Sequence, residues 1–292
     1  MRMNRILSLL TALSAFYLLI AGAQVNAWQA AGAVPTWPLS YGRILAPEWP
    51  GNVFYEQHHR ATAGTTLLLF AVLWIALALR EAPAAARRMS HLAGGALTLQ
   101  VLMGGLIVLR LNPPWLGAVH SVVAIATVVL IAATALTLWR RPAPAASSPE
   151  IGRIRDRAKI GLAALALLIA FGAVTRHPPV GDLTYITTLM AHLFIAVLAA
   201  IFLALLAASM IRAAEPQGLR PWGWILLAGV VGQVGFGARV LVVSPNPLDQ
   251  PWPPPAGFPA AHAAHVVLAA VIATCLVATL LYRPTKAPPA RS

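Results

Sequence analysis

The sequence predicts an all-α integral membrane protein of eight transmembrane helices, and three features carry that reading. Hydrophobic residues fill 59% of the 292 positions and charged ones only 10%, with a mean hydropathy of +0.75, a balance no ordinary soluble domain shows. A bilayer core takes about 20 apolar residues per helix, and eight stretches approach or exceed that length: 6–24, 57–79, 92–110, 116–139, 158–175, 184–211, 222–243 and 259–282. With the N-terminus in the cytoplasm, 16 of the 21 lysines and arginines fall in inner segments, leaving Arg43, Arg60, Arg110, Arg176 and Arg239 outside. Positive charge held inside orients the bundle, so the net charge of +13 is a topology signal rather than a nucleic-acid footprint. Both termini are expected in the cytoplasm.

The first run begins with Arg2 and Arg5 and could be taken for a signal peptide. Its apolar stretch from Ile6 to Ala23 is longer than the usual signal core of about 7–15 residues. Leu18-Leu19-Ile20-Ala21-Gly22-Ala23-Gln24-Val25 is also echoed by Leu167-Leu168-Ile169-Ala170-Phe171-Gly172-Ala173-Val174 in the fifth run, so a retained helix is expected. The second run opens on Glu56-Gln57-His58-His59-Arg60. In the third, Gln100-Val101 and Gly104 lead through Arg110 to Asn112-Pro113-Pro114-Trp115, and His120 follows in the fourth. The seventh and eighth repeat that order with Gln233-Val234, Gly237, Arg239, Asn246-Pro247, Pro251-Trp252 and His265. Two four-helix halves are therefore expected, 1–139 and 158–292 with a short cytoplasmic tail, joined by a basic linker at 140–157. Four helices return the chain to its starting side, which makes the halves parallel repeats about an axis along the membrane normal. Trp28, Trp37, Trp49, Trp115 and Trp252 fall in outer loops, where most of them are expected to form an interfacial belt. The lone cysteine, Cys275, lies inside the last run and excludes an intrachain disulfide.

Four of the eight histidines stand apart. His59, His120, His192 and His265 each precede an alanine by four residues, namely Ala63, Ala124, Ala196 and Ala269, so each imidazole has a methyl-sized neighbour one turn deeper on the same helical face. All four lie on even-numbered helices at comparable depth near the outer side, and an intramembrane ionisable residue is a functional candidate. Zinc or copper sites usually add carboxylates or thiolates, and the chain has only eight acidic residues and one cysteine. Facing imidazoles suit haem iron, whose protein ligands can be two axial histidines, and Ala63, Gly64, Gly104, Gly105, Gly117, Gly235 and Gly237 leave room for a macrocycle. His262 shares a face with His265 and could line the pocket mouth, whereas His58 is rotated about 100° from His59. Glu56 precedes His59 by three residues. Its carboxylate can pair with Arg60 or serve an oxidation by taking a proton or countering developing positive charge.

Glu56-x-x-His59-Arg60, Gln100, His120, His192, Gln233 and His265 together make the chain resemble the haem A synthases, cytochrome oxidase assembly enzymes, over essentially its whole length. The resemblance implies oxidation of a haem O methyl to a formyl group, with Glu56 catalytic, His192 and His265 ligating a resident haem B, and His59 and His120 binding the haem being converted. It further implies a bacterial inner membrane location, lipid surroundings, haem O synthase as supplier, an electron donor, and compatibility with a homo-oligomer. One departure stands out: Val34 and Ser40 occupy places that are cysteine in other members, so a loop dithiol relay is not expected. A two-haem cytochrome b for electron transfer, or a haem carrier without turnover, would use the same four histidines.

Overall fold

The computed structural model describes residues 2–79, 81–110, 112–140, 149–178, 182–213, 217–244 and 253–282. Eight helices follow in order: α1 (Arg2–Ala27), α2 (Asn52–Leu79), α3 (Ala84–Leu109), α4 (Pro114–Trp139), α5 (Pro149–Arg176), α6 (Asp182–Arg212), α7 (Arg220–Val243) and α8 (Phe258–Leu281). All eight are long and apolar enough to cross a membrane, and among the described residues β-structure is confined to one isolated bridge, Ser40 with Arg43. The topology residues Arg80, Arg141, Arg283, Lys286 and Arg291, and the repeat residues Asn246, Pro247, Pro251 and Trp252, lie outside the described residues.

Local chemistry places several helix starts. Prolines at the first turns of α4, α7 and α8 have no N–H to leave unpaired and a φ already suited to a helix. Gly257 precedes α8 at φ +82°, a conformation that disfavours other residues. The helices also extend beyond the apolar runs. Most notably, α5 starts at Pro149, within the expected linker, because Ile151 and Ile154 bury themselves and Arg155 donates to the Tyr282 carbonyl.

Helices α1 to α4 close a ring of successive contacts in which α4 meets α1, and α5 to α8 close another in which α8 meets α5. The rings join through α1, α4, α5 and α8. One shared core runs across the join, with Leu19, Ile131, Leu206, Leu226, Ile272 and Leu276 buried in it. Small residues such as Ala132, Ala133, Ala270 and Ala273 let the central helices approach closely. Hydroxyls there are satisfied on their own helices, as in Thr134 to the Leu130 carbonyl and Thr279 to that of Cys275, since lipid offers no partner. Leu68, Phe194, Leu205 and Val231 turn outward, the inverse of a water-soluble surface. The two rings differ in tightness: α6 packs along α7, whereas α2 and α3 touch lightly.

Candidate functional site

His59, His120, His192 and His265 lie six to ten residues inside the N-terminal ends of α2, α4, α6 and α8, about 9 to 15 Å along the axes. Each leans on a glycine of the preceding helix. A Cβ built on Gly22 would stand 3.3 Å from Cε1 of His59, and one on Gly104 3.6 Å from Cε1 of His120. For Gly172 against His192 and Gly237 against His265 the distance is 3.0 Å. At Gly22, Gly172 and Gly237 an added methyl would press on the imidazole, whereas at Gly104 it would make ordinary contact. Of the other small residues expected to leave room, Gly64 and Gly235 face open space, while Gly105 and Gly117 receive Trp37 and His177.

The two histidine pairs differ in how their rings are held. His192 and His265 face each other with ring centroids 6.4 Å apart. Their Nδ1 atoms bond main-chain carbonyls, His192 to Leu168 at 3.0 Å and His265 to Gln233 at 3.2 Å, four residues before the glycine each ring touches. A main-chain bond at Nδ1 fixes the tautomer and makes Nε2 the acceptor nitrogen, which in His265 lies 3.3 Å from the side-chain nitrogen of Gln233. Two imidazoles sharing a metal through bonds of about 2 Å would hold their centres about 6 Å apart, close to the separation found. His59 and His120 lie within electrostatic reach of each other, and their Nδ1 atoms are buried without partners.

Two unpartnered buried polar atoms stand on the faces that meet the histidines: Oε1 of Gln100, one turn before the glycine His120 touches, and Oε1 of Gln233, whose side-chain nitrogen lies 3.3 Å from Nε2 of His265. Buried polar groups are almost always bonded, so their concentration here points to a missing polar partner, as a bound cofactor would supply. Among the described residues no group of three or more His, Cys, Asp and Glu gathers to hold a bare metal ion. Paired imidazoles with small neighbours fit a haem, whose macrocycle provides the remaining ligands. A depression of about 310 Å³, lined in part by Arg153, Arg157 and Arg212, lies at the opposite ends of α5 and α6 and involves none of the histidines.

Glu56 is buried, and both carboxylate oxygens are engaged. Oε1 accepts from Arg60 at 2.6 Å and Oε2 from the Val34 amide at 2.8 Å, so the pairing that the four-residue spacing permits is made. Arg60 also donates to the carbonyls of Val34 and Thr36, each at 2.8 Å, and to the Ser40 hydroxyl at 3.3 Å. The loop between α1 and α2 is thus clamped onto α2 at Val34, Thr36 and Ser40. Trp37 departs from the expected interfacial belt, because its indole presses on Gly105 of α3, where a Cβ would come within 2.7 Å. Trp28 stacks on Tyr55 and Trp49 packs against Phe54.

The remaining histidines sort by contact. His58 bonds the Tyr17 hydroxyl at 3.0 Å and stacks on Phe54, and His91 accepts from Trp74, so both serve packing. His177 and His262 belong to a polar cluster with Asn26 and Arg176 where the two rings of helices join. Burial, then nearby Arg176 and His120, push the pKa of His177 down to about 4, which leaves it neutral at pH 7. Sequence reasoning named His262 as a residue of the pocket mouth but passed over Gly22 and Gly172 as histidine contacts and Asn26 and His177 as members of this cluster. The echo between residues 18–25 and 167–174 contains both glycines, offset by one position.

Residues 1–132 match the family model of the cytochrome oxidase assembly proteins. The match covers less than half of the 292 residues, and over that part the chain is similar to that family. The match spans α1 to α3 and most of α4, and so contains Glu56, His59 and His120; His192 and His265 lie beyond it. No curated protein matches the chain.

Proposed function

We propose that the protein is a haem A synthase, which oxidises a methyl group of haem O to a formyl group for use in terminal oxidases. The match of residues 1–132 to the family model of the cytochrome oxidase assembly proteins supports this reading. The observation that carries the division of labour is the contrast between the pairs. His192 and His265 are fixed through Nδ1 to main-chain carbonyls, as suits ligands of a resident haem B in α5–α8. His59 and His120 keep buried, unpartnered Nδ1 atoms in a ring whose α2 and α3 touch lightly, as suits a site that admits haem O and releases haem A.

A haem B held by His192 and His265 would supply a redox centre, to be reduced again by a donor outside this chain. The protein's own residues bind, orient and enclose. Gly22 and Gly104 let the imidazoles of His59 and His120 seat against the backbone. The loop held by Arg60 and Glu56 stands beside the outer end of that site, where it excludes water and confines the substrate. Glu56 combines this positioning with a carboxylate three residues from His59, available to take a proton once substrate shifts its partners.

The test is a pigment extract of cells that co-express the chain with a source of haem O. Wild type should yield haem A, and Glu56→Gln should retain protein-bound haem B while haem O accumulates and haem A falls at least ten-fold. Unchanged haem A in a verified Glu56→Gln preparation would remove Glu56 from the reaction. Absence of haem A from wild type, with haem O present, would refute the synthase reading.

A further inference from the structure

Arg176 closes α5 at the join between the two rings of helices. Its Nε donates to Oδ1 of Asn26 and its Nη2 to the Asn26 carbonyl at 2.9 Å, which ties one edge of the guanidinium to α1. Asn26 is itself committed, because its Nδ2 lies 2.9 Å from Nε2 of His177. The face of the guanidinium lies 5.3 Å from the ring centre of Phe258. Nη1 is left over: it is fully buried and has no hydrogen-bond partner. Among the described residues, the two salt bridges are Arg60 with Glu56 and Lys159 with Asp156, so no carboxylate is paired with Arg176. A buried cation without an anion is among the costlier arrangements a fold can contain, and an arginine is built to meet a carboxylate.

The surroundings indicate where that anion would come from. His262 stacks on Phe258 with ring centroids 5.6 Å apart and lies within electrostatic reach of Arg176, His177 and His265. It precedes His265 by three residues, so the cluster sits about one turn above that ligand, at the outer end of the pair in α5–α8. Haem B carries two propionate carboxylates on one edge of the macrocycle. We propose that Arg176 binds a carboxylate of the tetrapyrrole held between His192 and His265, an inference that rests on the bis-histidine haem reading above. Asn26 then acts as a positioning residue, and the cluster ties the occupied site in α5–α8 to α1 and, through the packing of His177 on Gly117, to α4.

The experiment uses the full-length chain carrying His59→Ala and His120→Ala, so that only the remaining pair is read. The protein is produced in haem-deficient cells, purified in detergent, and titrated with haem B and with haem B dimethyl ester while the low-spin absorbance is followed. With Arg176 intact, haem B should bind at least about ten-fold tighter than the diester, the order expected of one charge-assisted bond. Arg176→Gln should remove that preference by weakening haem B alone, and Arg176→Lys should restore part of it. Unchanged diester binding in Arg176→Gln shows that the variant is folded. Equal weakening of both ligands, or an unaltered preference, would overturn the proposal while leaving the haem reading in place. Failure of the Arg176-intact chain to bind haem B at all would overturn both.

Discussion

A methyl group on Gly172 would sit 3.0 Å from Cε1 of His192, whereas one on Gly104 would sit 3.6 Å from His120. The first is tighter than ordinary contact and the second is not. Overpacking of this kind costs about 1–3 kcal/mol, and here it would be relieved by rotating the imidazole away from its bond to Leu168. Gly172→Ala is therefore expected to lower bound haem B several-fold or broaden its low-spin spectrum, while Gly104→Ala leaves that spectrum unchanged. Haem content per protein, from a pyridine extract, checks both. The four histidines were legible in the sequence because a residue and its neighbour four positions on share a helical face whatever surrounds the helix. Of their glycine partners Gly104 and Gly237 were named as making room, but which histidine each would touch was not legible, and neither were Gly22 and Gly172, since contacts between helices depend on rotation about each axis. Arg176 escaped notice for a related reason: near a helix end, a basic residue that will be buried reads the same as one in solvent.

At the scale of elements, the eight helices were legible from length and hydropathy, and the differences lie at their ends. The stretch before Lys159 reads as linker because it is rich in charge, yet Ile151 and Ile154 turn inward and carry α5 back to Pro149. The loop between α1 and α2 was hardest to read, because two side chains of α2 hold it in addition to its own bonds, such as Thr36 to the Leu39 carbonyl and the Ser40–Arg43 bridge. Arg60 reaches Val34, Thr36 and Ser40, and Glu56 holds Arg60 and the Val34 amide. Arg60→Ala would leave a buried carboxylate unpaired, at a cost of about 3 kcal/mol. The expected result is amide hydrogen exchange through residues 34–43 about a hundred-fold faster, with the transmembrane helices unaffected. Exchange equal to wild type would mean that Trp37 on Gly105 holds the loop without help.

At the scale of the whole molecule, the fold is eight apolar helices in two rings that share one core. The charge distribution proposes its orientation, with both termini in the cytoplasm. Cysteine placed at Ile44, which is 85% exposed, should label only from the outer side of intact cells, and cysteine at the exposed position 88 only after the inner face is opened. The reverse pattern would put all four histidines near the inner face and invert the proposed topology. The order of Gln, Gly and His features in the two halves was legible because one stretch echoes the other. The difference between the halves was not, since it rests on which ring nitrogens find a main-chain carbonyl.

The central claim is that the two histidine pairs do different work, and haem content of single-histidine variants tests it most directly. Purified full-length His192→Ala and His265→Ala should each lose the low-spin haem B of the wild type, whereas His59→Ala and His120→Ala should keep it and lose haem A formation. A low-spin haem B spectrum that survives in the double variant His192→Ala/His265→Ala would contradict the assignment.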